Sequence, residues 1–197
     1  MKTTKSATAC DEAGADAEDG AARDGRLCAT ASCAVAALDA CEAFLRGLDG
    51  GVYARACAVM HGGTIGQHVR HALDHYAAAL AGGRGEVIDY DRRERGTSIE
   101  TEVGAALSLL GEIRGGLRAI DAERAETAVR VRVMVNGATG EEAEHGSTLG
   151  REVAFAAHHA VHHHAMMAAI AKSMGVIVPA GFEKAPSTVR HERARAG

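Results

Sequence analysis

The chain has 197 residues, enough for one domain with a sizeable core plus some tail. Hydrophobic residues make up 47% and charged residues 24%, and the net charge of -4 with neutral His gives no electrostatic case for nucleic acid. No apolar run approaches the roughly 20 residues of a membrane span, and the opening MKTTKSATACDEAGADAEDG lacks the apolar core of a signal peptide. A cytoplasmic protein with neither a nucleic-acid nor a membrane partner is expected.

Aromatic residues are only 3% and Trp is absent, so the core must be built from Ala, Leu, Val, Ile and Met, which favours close-packed helices. Residues 1–27 are acidic, rich in Ala and Gly, and without apolar periodicity; a disordered tail is expected there. Residues 29–48 read as a helix, with Ala34, Ala37, Cys41, Phe44 and Leu48 at helical spacing and Gly50-Gly51 ending the run. A second helix is predicted from about Gly62 to Leu80, its apolar face marked by Ile65, Val69, Ala72, Leu73, Tyr76 and Leu80. Residues 84–96 read as a charged connection. Thr97-Ser98-Ile99-Glu100 then reads as a capping box. It opens a third helix with the seam Ala106, Leu110, Ile113, Leu117, Ile120.

Residues 128–135, AVRVRVMV, alternate apolar and basic and predict a short half-buried strand, with Asn136-Gly137 as a turn. A fourth helix is predicted from Ser147 or Thr148 to Gly175, with the seam Val153, Ala156, Ala160, His163, Met167, Ile170, Met174. The expected fold is all-α: a four-helix bundle over 28–182, an extra strand or hairpin before the last helix, and an irregular tail over 183–197.

Disulfides are not expected. The five cysteines, Cys10, Cys28, Cys33, Cys41 and Cys57, are odd in number and form no CxxC. Cys33 and Cys41 read as small buried helix residues.

Eight of the eleven histidines, His68, His71, His75, His158, His159, His162, His163 and His164, fall on the second and fourth predicted helices. At about 100° per residue, His163 sits in the middle of its seam and His159 lies about 40° round from it, still inward. His164 falls at the boundary, His162 about 100° to the other side, and His158 points away. An inward HxxxH pair places two imidazoles within reach of one ion, and two imidazoles in apolar surroundings both need polar partners. On the second helix His68, His71 and His75 lie within about 60° of one another. By amphipathicity His68 is nearest the apolar centre, His75 next, and His71 on the flank. The pattern leaves the choice among them open.

At this point the chain resembles the DinB/YfiT-like superfamily of metalloenzymes. The resemblance rests on "TIGQHVRHALDHY", "DYDRRERGTSIET" and "LGREVAFAAHHAVHHHAMM" in this order and covers roughly residues 30–187. It implies a three-histidine site, with one ligand from the second helix, seven residues after a Ser or Thr that opens it, and an HxxxH pair from the fourth. Thr64 plus seven is His71, so the implied metal ligands are His71, His159 and His163, with His68, His162 and His75 as second candidates. The implied cofactor is a divalent transition metal (zinc, nickel or iron), and the implied partner is a small-molecule substrate. In relatives that are thiol S-transferases, a low-molecular-weight thiol is activated at the metal and attacks an electrophile. A homodimer through Ala- and Gly-rich helix faces is expected. Two rivals stand beside the enzyme: a metal-sequestering or sensing module without turnover, and a purely structural histidine network.

Three further groups have two readings each. Glu152 either orients a ligand or is a helix-start carboxylate. Arg70 and Asp74 form a surface i, i+4 pair, or Asp74 supports the site. The run Asp89–Arg93 is an ion-pair cluster or part of a substrate-facing loop.

Overall fold

The computed structural model describes residues 27–197, so all but the last residue of the expected acidic tail lies outside the described residues. Seven helices and a three-stranded mixed sheet are found among them. The expectation of an all-α four-helix bundle is therefore corrected: the fold is helix-rich but mixed.

Helix α1 spans Ala29–Arg46 and is followed by the one-turn α2, Gly50–Tyr53. Helix α3 spans Ile65–Gly82. Its first turn is held by a capping box: Thr64 Oγ1 accepts from the Gln67 amide at 3.0 Å, and Gln67 Oε1 accepts from the Thr64 amide at 3.1 Å. Helix α4 spans Val103–Arg118, the one-turn α5 spans Ala122–Ala125, and α6 spans Leu149–Ser173. Thr148 caps α6 by accepting from the Arg151 amide. The seams expected on α3, α4 and α6 point inward, with Val69, Leu73, Leu110, Leu117, Val153 and Met167 all buried. Helix α3 packs most extensively on α6; α1 lies against α6 and α4, and α4 closes against α3.

The sheet accounts for the change of class. Strand β2, Ala128–Asn136, pairs antiparallel with β3, Glu141–Thr148, through a turn in which Asn136 Oδ1 accepts from the Ala138 amide. On the other edge β2 pairs in parallel with β1, Val87–Asp89, with α4 and α5 in the crossover. Neither partner strand has a readable alternation. β3 is mostly exposed and charged, and β1 is three residues inside the charged connection, contributing only the fully buried Ile88. Gly82 makes room for it, because a Cβ there would overlap the Ile88 side chain.

Three smaller expectations also change. Residues 183–197 are not irregular: Pro186–Ala196 form α7, a polar helix with no apolar face to announce it. Cys33 is exposed, whereas Cys41 is buried as expected. Thr97 forms no side-chain cap, because residues 98–100 make a single 3-10 turn and the Glu100 carboxylate is drawn to Arg70 instead. No helix among the described residues is long and apolar enough to cross a membrane.

Gly66 sets the contact between α3 and this 3-10 turn. A Cβ on it would overlap the Glu100 carbonyl oxygen and crowd the Tyr53 ring. Gly66→Ala is expected to cost roughly 2 kcal/mol of stability, as overpacking against backbone does. A denaturant midpoint unchanged from the parent chain would refute this.

Candidate metal centre

The centre is built where α3 crosses α6. His71, in the second turn of α3, and His159 and His163, one turn apart on α6, each offer a ring nitrogen, and the three nitrogens lie within 4.8 Å of one another. His159 Nε2 is 3.1 Å from His71 Nε2 and 3.0 Å from His163 Nε2. A hydrogen-bond reading does not satisfy this arrangement. A neutral imidazole Nε2 carries either one proton or one lone pair, and here two neighbours converge on it. The spacing does suit ligands of one ion. Nitrogens at about 2.0–2.1 Å from a metal, 90–109° apart, lie about 2.9–3.4 Å from each other.

The electrostatics agree. Burial, then the charges of neighbouring His75, Arg93 and His159, push the His71 pKa down to about 3. Burial and the neighbouring His75, His162 and Arg93 push His159 down to about 4. Burial and the surrounding histidines push His163 down to about 2. All three are neutral at pH 7, the form that binds metal.

The other histidines surround this group. His68 Nδ1 lies 3.0 Å from His163 Nδ1, so one nitrogen donates to the other. When His163 Nε2 is a ligand, its Nδ1 carries the proton and donates to His68, which orients the ring. His75 is buried; its Nδ1 donates to the His71 carbonyl at 3.0 Å, and its ring stacks on His159 at 3.9 Å. His162 is exposed, with its ring 5.4 Å from that of His163. His158 is exposed as expected, but His164 is not a boundary residue. It is buried and stacks on Phe182 at 4.5 Å, because the segment after α6 folds back over it.

A carboxylate supports the outer side. Glu152 lies in the first turn of α6, the helix-start carboxylate expected, and is 0% exposed. Its Oε2 accepts from Tyr90 Oη at 2.7 Å; its Oε1 accepts from Ser147 Oγ at 2.6 Å and Arg151 Nη1 at 2.7 Å. Burial raises its pKa, but these hydrogen bonds and the Arg151 charge outweigh it, and the net shift is downward. Tyr90 in turn stacks on His75 at 4.8 Å. A continuous line therefore runs from Glu152 through Tyr90 and His75 to His159. Arg70 is buried rather than on the surface. It donates to Asp74 at 2.8 Å, the i, i+4 pair expected, and to Glu100 at 3.0 Å. Arg93 Nη1 lies 2.9 Å from His71 Nδ1, a contact no sequence pattern signalled beyond the position of the Asp89–Arg93 run.

A separate apolar cleft of about 450 Å³, lined by Ala37, Val161, His164, Phe182 and Val189, shares no residue with the three-histidine group.

No protein-family model matches this chain, and no solved structure matches it. Among curated proteins it is similar to FK506-binding protein 5 of Rhizopus delemar, 29% identical over 105 residues, which is 53% of this chain and 27% of that protein. The chain thus spans about a quarter of the length of the curated relative it matches. At that identity and coverage the similarity assigns no family.

Proposed function

We propose that His71, His159 and His163 bind a divalent transition metal, zinc, nickel or iron, and that the chain is a metal-dependent enzyme acting on a small molecule. The observation that carries this reading is the convergence of three neutral imidazoles from two helices on one point. Imidazole suits these ions, and three protein ligands leave a position open for substrate. Bound there, the ion supplies Lewis-acid activation of a thiol or water. The chain's own residues do the rest. His68 holds the proton on His163 Nδ1, and His75 fixes the plane of His159. One histidine on α3 with an HxxxH pair on α6 also supports membership of the DinB/YfiT-like superfamily. With it comes the finer reading: transfer of a low-molecular-weight thiol to an electrophile.

The crowding of His68, His75 and His162 around the same point favours a second reading, a metal-sequestering or sensing module without turnover.

The deciding experiment is metal content by elemental mass spectrometry, on protein purified without a nickel column. The parent chain is expected to hold about one transition metal, and His71→Ala and His163→Ala to hold almost none. Loss in His163→Ala alone would move the α3 ligand to His68 or His75. No metal in the parent chain even after reconstitution would end the metalloenzyme reading. Several ions per chain with no reaction between a thiol and an electrophile would favour sequestration.

A further inference from the structure

Arg93 is the odd charge in this site. Among the described residues no carboxylate lies within ion-pair distance of it, and its Nε is buried without a hydrogen-bond partner. Its neighbours Asp74 and Glu100 are already engaged by Arg70. A guanidinium only donates, and Arg93 Nη1 lies 2.9 Å from His71 Nδ1 and 3.4 Å from His71 Nε2, so whichever of the two is unprotonated accepts from it. If His71 Nε2 is to be a metal ligand, Nδ1 must carry the proton, and Arg93 would then face an N–H. The three proposed ligands are all neutral, so the loaded site also has no anionic partner for the ion or for Arg93.

Arg93 has a second face. With Thr97, whose buried hydroxyl oxygen also has no hydrogen-bond partner, it lines a cleft of about 450 Å³ along the middle and C-terminal part of α3. Arg92 lines the same cleft and likewise pairs with no carboxylate among the described residues. Beside Ala77, Ala78 and Ile99, the walls carry Arg70, Arg84, Arg92 and Arg93 against two carboxylates, Asp74 and Glu94, so cationic side chains outnumber anionic ones there.

We propose that this cleft takes the carboxylate of a small organic acid substrate. The carboxylate accepts from the Arg93 guanidinium, with Arg92 beside it in the cleft wall. When His71 is a ligand through Nε2, Arg93 loses its acceptor on that ring and the anion supplies another. That release rests on the metal-site reading, but the arginine clamp itself does not need the metal.

The test is calorimetric titration of the full chain with succinate, in metal-stripped and zinc-loaded form, with zinc content measured on every sample. Succinate is expected to bind the parent chain in both forms. Binding should weaken at least about tenfold in Arg93→Gln, the loss of one charge-assisted contact. It should weaken less in Arg93→Lys, which keeps the charge without the planar fork. Arg190→Gln, on α7, should match the parent, and uncharged succinamide should not bind. Melting curves confirm that the variants fold. Equal succinate affinity in the parent and in Arg93→Gln would overturn the proposal, as would no succinate binding by the parent. Arg93-dependent binding to a chain that holds no zinc would sustain the anion site while removing the metal. Zinc binding with Arg93-independent succinate binding would do the reverse.

Discussion

Glu152→Ala is expected to be the most destabilising single substitution near the site, by about 3 kcal/mol or more. The carboxylate is fully buried and accepts three hydrogen bonds. Removing it strands the Tyr90 and Ser147 hydroxyls and leaves a hole at the start of α6. Glu152→Gln keeps one acceptor oxygen and nearly the same volume, and should lose about 1–2 kcal/mol. The shift of Glu152 is downward, so its contribution is present above the unfolded carboxylate pKa and fades as pH falls through the lower folded value. The stability gap between the parent and Glu152→Gln should therefore close on strong acidification. The effect should also reach the metal. Tyr90 stacks on His75, which stacks on His159, so loss of the Tyr90 anchor frees the His159 ring. Zinc affinity in Glu152→Gln should fall roughly tenfold, the usual cost of losing outer support of a ligand. Paired urea denaturation and zinc competition curves check both. A variant with parental stability would show that Glu152 anchors nothing, and lost stability with parental affinity would break the proposed line to His159.

The parts of the fold that could be read in advance are those where an apolar stripe meets a buried neighbour. Val69 and Leu73 on α3, Leu110 and Leu117 on α4, and Val153 and Met167 on α6 recur at helical spacing because each faces another helix. β3 has no such stripe. EEAEHGST is held by backbone pairing to β2 with its side chains largely in water, so periodicity carries no trace of it. β1 buries Ile88 alone and is otherwise held by its backbone pairing to β2. Those two strands turn the expected all-α class into a mixed one.

The site follows the same logic. The HxxxH pair is visible because i, i+4 spacing alone puts His159 and His163 on one face. The choice on α3 is not, because His68 and His71 both reach histidines of α6. His71, on the flank, meets His159, and His68, nearer the centre, meets the far side of His163. The Thr97 box failed for a local reason. A capping box needs a helix to continue past it, and the chain makes one 3-10 turn there and restarts at Val103. The working box at Thr64–Gln67 carries the same chemistry with Gln in place of Glu.

Zinc at about a thousandfold above its Kd is expected to stabilise the parent chain by about 4 kcal/mol, raising Tm on the order of 10 °C, with most of the rise lost in His163→Ala. The pH dependence separates a built site from a surface pair. The folded values of His71, His159 and His163, about 3, about 4 and about 2, lie below the 6.5 of an exposed imidazole. The unfolded chain therefore takes up protons as pH falls through 6.5, while the folded chain does not. Stability due to these groups is full above that pH and drains away below it, toward the folded values. Ligand protonation in the folded protein, by contrast, should begin only near pH 4. Zinc should therefore stay bound on dialysis at pH 5.5 for as long as the fold survives, and leave together with the fold rather than before it. An exposed HxxxH pair would release half its metal near pH 6.5 with helicity intact. Zinc content and circular dichroism followed together down the pH scale distinguish the two. Metal loss at pH 6.5 from a fully folded chain would mean that the three imidazoles are not held neutral by burial, and the electrostatic half of the metal-site argument would fall with it.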